Sequence, residues 1–170
     1  MAVLNICTYP EKVLTQSAEP ITAIDEDVIK LADHMAETMY NAPGIGLAAT
    51  QVGVAKRLLV ADIAPRRPES ELIVLANPEI VAAEGEVIIE EGCLSVPEYQ
   101  AEVKRHEKIT VRGLDLNGEK VEIEAEGLLA VVLQHEIDHL NGILFIDRLS
   151  KLKRDLVKRR LRKKKAKEQS

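Results

Sequence analysis

Cysteine is scarce, with two in 170 residues. In a chain without an export signal, that excludes a disulfide framework and reads as one ligand and one packed thiol. Long apolar runs are also missing: none approaches the roughly 20 residues that span a bilayer. The N-terminus lacks a basic segment followed by an apolar core,. The chain is therefore expected to be soluble, unexported and cytoplasmic, with no membrane partner. Internal repeats are absent, as is low complexity outside the C-terminal tail. With 46% hydrophobic residues, the chain can bury one substantial core and fits one domain.

Charge is divided unevenly. Residues 151–170 hold 11 Lys/Arg against 2 Asp/Glu, whereas residues 1–150 hold 12 against 26. The expected organisation is thus a folded domain over 1–150 and a basic helix or tail over 151–170. Leu149, Leu152, Leu156 and Leu161 form a narrow apolar stripe, which predicts that this helix docks at its start and frays later. On charge alone, a solvated tail that aids solubility accounts for it.

Periodicity predicts a first helix from Asp25 or Glu26 to Tyr40, with Val28, Leu31, Ala32, Met35 and Met39 on one face,. Asp25 is a fair N-cap, and Asn41-Ala42-Pro43-Gly44 ends the helix. Strands are expected at Arg57–Ile63, Leu72–Asn77, Ile80–Ala83, Val87–Ile89, Glu102–Arg105 and Lys108–Leu114. Asn117-Gly118 then turns the chain into the alternating run Val121–Glu124,. Ala64–Ser70 reads as an exposed loop. Many strands between a first helix and a later one predict an α+β fold, antiparallel sheets packed around a central helix, with a C-terminal helix after it.

The chemistry concentrates in His135-Glu136-Ile137-Asp138-His139. On a helix, His135 and His139 lie about 40° apart in projection, so both imidazoles can reach one metal ion. Glu136 falls beside them, placed to handle the protons of an activated water, which points to hydrolysis. The plainer reading is two core histidines satisfied by backbone carbonyls. Against it, Leu128, Val131, Val132, His135 and His139 share one inward stripe, where unpaired polar atoms cost about a kcal/mol or more each.

A catalytic site of this kind needs a third protein ligand. The metzincin pattern H-E-x-x-H-x-x-G-x-x-H is matched at Gly142 but holds Phe145 in its last position,. A downstream carboxylate fits poorly, since after Asp147 only Asp155 and Glu168 remain. The ligand is expected upstream. Cys7 sits in an apolar run, His34 on an acidic helix and His106 at a charged strand end. Cys93, in Glu90-Glu91-Gly92-Cys93-Leu94-Ser95-Val96-Pro97, follows a strand-like run and precedes a proline stop, where a thiolate is well offered. The small-residue loop Gly44–Gly53 lets a substrate backbone approach closely; it has neither phosphate-loop spacing.

Taken in order, Gly44-Ile45-Gly46-Leu47-Ala48-Ala49-Thr50-Gln51, Glu91-Gly92-Cys93-Leu94-Ser95 and Gln134-His135-Glu136-Ile137-Asp138-His139 closely resemble the bacterial peptide deformylases. The resemblance runs from the N-terminal segment to about Leu152. It implies removal of the formyl group from the initiator methionine of nascent polypeptides, releasing formate. It also implies Cys93, His135 and His139 as metal ligands with water in the fourth place, and Glu136 as general acid and base. The formyl-oxygen donors fall on the Gln51 amide and the Leu94 backbone N–H. Ile45, Gly46 and Gly92 pin the substrate backbone, and Ile45, Ile89, Leu128, Val131 and Val132 line a methionine pocket. Fe²⁺ is the implied physiological ion, and Zn²⁺, Ni²⁺ or Co²⁺ suit the same ligands. For the basic tail, the resemblance implies a ribosomal RNA partner near the nascent-chain exit. One departure falls at Glu98-Tyr99-Gln100, where some relatives carry an arginine near Gln100.

Two other readings compete. A small metallopeptidase needs no formyl group, but the Gly44–Gln51 loop and Cys93 argue against it. A ribosome- or RNA-binding module with structural zinc is opposed by Glu136 and Gln51 and by only three evident protein ligands. No dimer interface is evident, and a monomer is expected.

Overall fold

The computed structural model describes residues 3–64 and 71–169, so the expected loop lies, past Ala64, outside the described residues. Helix α1 spans Glu26–Asn41, and the Asp25 side chain caps it by accepting from the Val28 N–H at 3.0 Å. Strands follow as β1 (Gly46–Ala48), β2 (Leu58–Ala61), β3 (Ile73–Glu84), β4 (Val87–Cys93), β5 (Val96–Arg105), β6 (Lys108–Leu114) and β7 (Lys120–Glu126). Helices α2 (Leu128–Leu140) and α3 (Lys151–Gln169) complete the chain. Five strands form one antiparallel sheet in the order β1-β2-β3-β6-β7, and β4 pairs with β5 in a separate hairpin.

The sheet is buried on both faces where it matters. On one face Leu47, Leu58, Val60 and Ala76 meet Val28, Met35 and Met39 of α1. On the other, Ala48, Leu59, Ala61 and Leu75 meet Val132, Leu133, Ile137 and Leu140 of α2. Alternation along β2 therefore serves two cores at once, which is why its sequence is continuously apolar. Every residue of α2 from Ala130 to Leu140 is buried, so α2 is the central element and its polar residues are all interior. Gly142 takes φ 75° just past α2 and turns the chain away,.

Several strand boundaries differ from expectation. The two short strands expected across Asn77-Pro78 are one, β3, because a bulge opposite β6 carries the chain past the proline,. Asn77 sits at φ 49°, and its side-chain amide both donates to and accepts from the Ile21 backbone at 2.8 Å. The hairpin strands are longer than expected: β4 runs on to Cys93 itself, and Pro97 lies inside β5 rather than stopping it. The register shift between Gly92 and Cys93 absorbs Pro97, Glu98 and Tyr99 as extra residues, with Glu98 at φ 64°. β1 was not expected from sequence; three residues are too few to show a period,.

The C-terminal helix is also corrected. Leu152 and Leu156 are 71% and 55% exposed, while Val157 and Leu161 are buried with Tyr9, Leu14, Val96 and Phe145. Of the expected leucine series, Leu149 and Leu161 pack while Leu152 and Leu156 do not, Val157 docking instead, and α3 is continuous to Gln169 instead of fraying. Lys164 reaches Glu98 at 2.6 Å and Lys165 donates to Thr8 Oγ1 at 2.8 Å. Lys158 and Arg162 lie over the Tyr9 ring, extending the contact along the helix. Among the described residues, no helix is long and apolar enough to cross a membrane.

Candidate active site

Two residues of α2 and the end of β4 meet at one point. The Nε2 atoms of His135 and His139 are 3.1 Å apart, and Cys93 Sγ lies 3.3 Å from His139 Nε2. Among the described residues, these three form the one cluster of His, Cys, Asp or Glu with metal-ligand spacing, their ligand atoms all within 4.8 Å of one another. The i, i+4 spacing supplies the two imidazoles, and the β4–β5 turn supplies the thiol. Cys7 and His34 are half-buried, His106 is exposed, and none joins the cluster.

A divalent ion fits these donors. His135 Nδ1 lies 2.9 Å from Glu91 Oε1, a pairing that fixes the ring with its Nδ1–H on the carboxylate and its Nε2 lone pair on the cluster. Two neutral imidazoles and a thiolate converging in this way repel unless a cation lies among them. Without an ion, the two rings differ in proton affinity. Burial acts against charge on both rings, yet Glu136, Cys93 and Glu91 draw His135 well above its ordinary range. Burial and the neighbouring His135 drive His139 well below it.

Behind His135 runs a chain of charges, buried from Glu91 to Asp138 and ending at the exposed Arg148, that sequence reading missed. Glu91 accepts from Arg105 at 2.8 and 2.9 Å, Arg105 donates to Asp138 at 2.6 Å, and Asp138 accepts two bonds from Arg148 at 2.7 and 2.8 Å. Burial disfavours the Glu91 anion, but hydrogen bonds from Arg105 and His135 win and hold its carboxyl at about 2. The available signal was Asp138, a carboxylate on the same buried helix with no part in the metal cluster, which has to be paired when buried,. Its partners lie on a different strand and a different turn, so no local pattern names them.

Glu136 lies beside the cluster, 4% exposed, and its Oε1 has no hydrogen-bond partner among the described residues. Burial pushes its carboxyl up to about 7, against the pull of His135 and Arg105, which suits a group that takes and returns a proton near neutrality. Gly46 makes room for it: a Cβ there falls 2.5 Å from Glu136 Oε2 and 2.9 Å from Val132 Cγ1. Gln51 is held at both ends. Its Oε1 accepts from the Ala48 N–H at 2.9 Å, which turns Nε2 to Ser95 Oγ at 3.2 Å, with Cys93 Sγ 3.6 Å away.

A cavity of about 710 Å³ opens onto these groups. Ile45, Gly46, Gln51, Ile89, Gly92, Cys93, Leu94, Leu128, Val131, Val132, His135 and Glu136 all line it; His139, fully buried, lies beneath. The sequence-predicted residues thus converge on one place. The cavity runs between β1, at the edge of the large sheet, and β4, whose one strand partner is β5. Two strand edges facing one cleft suit an extended polypeptide, which can add as a strand between them.

Comparison with known proteins agrees. The profile of the family described as Polypeptide deformylase matches residues 3–155. The peptide deformylase of Thermodesulfovibrio yellowstonii is 58% identical over 165 residues, covering 97% of this chain and 100% of that one. That of Syntrophobacter fumaroxidans is 58% identical over 164 residues, 96% of each. The crystal structure of a Legionella pneumophila peptide deformylase superposes with a TM-score of 0.89 at 49% identity, covering 98% of both chains. The Ehrlichia chaffeensis enzyme in complex with actinonin does so with a TM-score of 0.91 at 45% identity, over 96% of this chain and 98% of that one. Sequence, fold and metal-ligand geometry agree that this chain belongs to the polypeptide deformylase family, metal-dependent hydrolases that remove the formyl group from an N-terminal formylmethionine.

Proposed function

We propose that the chain deformylates nascent polypeptides with Glu136 as its acid–base group, Gln51 and the Leu94 N–H as oxyanion donors, and Cys93, His135 and His139 as ligands. The observation that carries this is the unpaired, buried Glu136 Oε1 beside the three converging ligand atoms. A divalent ion held by those ligands supplies Lewis-acid activation, bringing the pKa of water towards neutrality. Glu136 takes the proton of the attacking water and delivers it to the departing amine nitrogen, which must be protonated to leave. Gln51 Nε2, oriented by the Ala48 N–H, and the Leu94 N–H in the β4–β5 turn donate to the formyl oxygen as it gains charge, each worth about 10²–10³ in rate. Ile45, Ile89, Leu128, Val131 and Val132 form the apolar wall for methionine, and the backbone at Ile45, Gly46 and Gly92 meets the peptide.

Fe²⁺ is the proposed physiological ion; the thiolate and two imidazoles also accept Zn²⁺, Ni²⁺ and Co²⁺. The working unit proposed is a cytoplasmic monomer with a catalytic domain over residues 1–150. Its basic segment, 151–170, is proposed to meet ribosomal RNA. Docking of α3 through Val157 and Leu161 leaves Arg159, Arg160, Arg162 and Lys163 exposed, which supports that role.

The test is formate release from a short formylmethionyl peptide by protein purified without air, with the unformylated peptide as blank. Wild type should turn over, and Glu136→Gln should keep its metal and fold while losing about 10²–10⁴ in rate. Retained turnover in that variant would remove Glu136 from the mechanism.

A further inference from the structure

The wall of the cleft opposite β4 is a short connection: Pro43, Gly44, Ile45 and Gly46 line the cavity where the chain leaves α1 and enters β1. Backbone bonds fasten it at both ends. The Gly44 N–H donates to Met39 O at 2.7 Å, and Ile45 O accepts from the Asp62 N–H at 2.9 Å, one residue beyond the ladder pair Gly46–Ala61. Clearances inside the cleft depend on where this segment sits. A Cβ on Gly44 falls 3.2 Å from Leu94 Cδ1, and one on Gly46 collides with Glu136.

Asp62 carries a second fastening, which reaches back to α1. It follows the last residue of β2 and is buried, and both its carboxylate oxygens accept from neutral donors: Oδ2 from the Tyr40 hydroxyl and Oδ1 from the Ala64 N–H at 2.9 Å. A carboxylate taken out of water depends on such donors, and losing one is costly. Tyr40, in the last turn of α1, is 46% exposed, so what ties it to β2 is its hydroxyl more than apolar burial of its ring. The bond thus joins the helix end before the cleft segment to the strand end that holds Ile45.

We propose that Tyr40 and Asp62 are positioning residues for the substrate, their hydrogen bond holding the Pro43–Gly46 wall where the formylmethionyl backbone meets it. The inference rests on the deformylase reading above. Neither side chain lines the cavity; both act through the backbone of Ile45 and Gly46. With the hydroxyl gone, the Asp62 carboxylate turns to water and the segment it held gains freedom. Substrate must then order that wall as it binds, which costs affinity. Once substrate is bound the wall is back in place, and the chemistry at Cys93 and Glu136 proceeds as before.

The experiment measures kcat and KM of the metal-loaded full chain on a formylmethionyl tripeptide amide, for wild type, Tyr40→Phe, Asp62→Ala and the double variant. Tyr40→Phe removes one oxygen and should raise KM about three- to tenfold, with kcat within about twofold of wild type and metal content unchanged. In the Asp62→Ala background the same substitution should change KM by less than about 1.5-fold, because the hydroxyl no longer has its acceptor. An unchanged KM in Tyr40→Phe, with or without a lower urea midpoint, gives the bond a role in stability alone and overturns the positioning role. So does a full KM effect of Tyr40→Phe in the Asp62→Ala background, or a loss of kcat or metal that accompanies the rise in KM. No formate from wild type overturns the reaction reading, and the positioning role with it.

Discussion

Single residues in this site are constrained by atoms a few ångströms away, and Gly46 is the sharpest case. The sequence suggested that its missing side chain admits substrate. The structure gives it a second duty, since a Cβ there collides with Glu136 Oε2 and Val132 Cγ1. Gly46→Ala should therefore displace Glu136, the proposed general base. A shift of about 1 Å at a reacting group can cost about 10²-fold, so kcat should fall by about that much while metal content, read by elemental analysis, stays at wild-type level. Equal loss of metal and activity would show that the collision distorts the ligand cluster instead. His135, Glu136 and His139 were legible because one helix carries all three. Gln51 and Leu94 were named by resemblance alone, as nothing in their local sequence says that they face Cys93.

Between elements, the hairpin and the central helix are tied by charge. Glu91 on β4 orients His135 on α2, and Arg105 on β5 holds Glu91 and reaches Asp138 one turn further along α2. Glu91→Gln should lower metal affinity by about 10–100-fold, measured by competition with a chromogenic chelator, because the ring loses its anionic partner and its fixed tautomer. The docking of α3 makes a separate claim. Leu161→Ala should lower the free energy of unfolding by about 2–3 kcal/mol, whereas Leu152→Ala should change it by less than about 0.5 kcal/mol. Urea midpoints distinguish the two, and comparable losses from both would restore the full leucine stripe read from sequence. That stripe misled at Leu152 and Leu156 because Val157 and Leu161, also four apart, offer a competing register. Burial of Val157 and Leu161 is decided by the Tyr9 and Val96 surface they meet, which a helix-period count does not contain.

At the scale of the molecule, charge is segregated: an acidic body surrounds the cleft and a basic helix lies along its flank. The two are joined by Lys164–Glu98 and Lys158–Asp147, so deleting the helix would disturb the body as well as remove charge. Reversing Arg159 and Lys163 to Glu, both exposed, tests the ribosome proposal more cleanly. Wild-type affinity for ribosomes should fall steeply with salt. The variant should bind more weakly and with a shallower salt slope, by about 0.7–0.9 for each phosphate it no longer neutralises. Sedimentation with ribosomes over a salt series measures both, and an unchanged slope would detach those two side chains from any RNA contact.

The chain by itself determined its reaction class and its helices. A 3.6-residue period in α1 and α2, and two histidines with a glutamate inside one such period, are local facts that folding does not alter. The boundaries of β3, β4 and β5, the face on which α3 docks, the service of Gly46 to Glu136 and the line from His135 through Glu91, Arg105 and Asp138 to Arg148 were decided only by tertiary structure. Each depends on which distant segments meet, and bulges, buried ion pairs and close backbone approaches arise from that meeting rather than from the order of neighbouring residues.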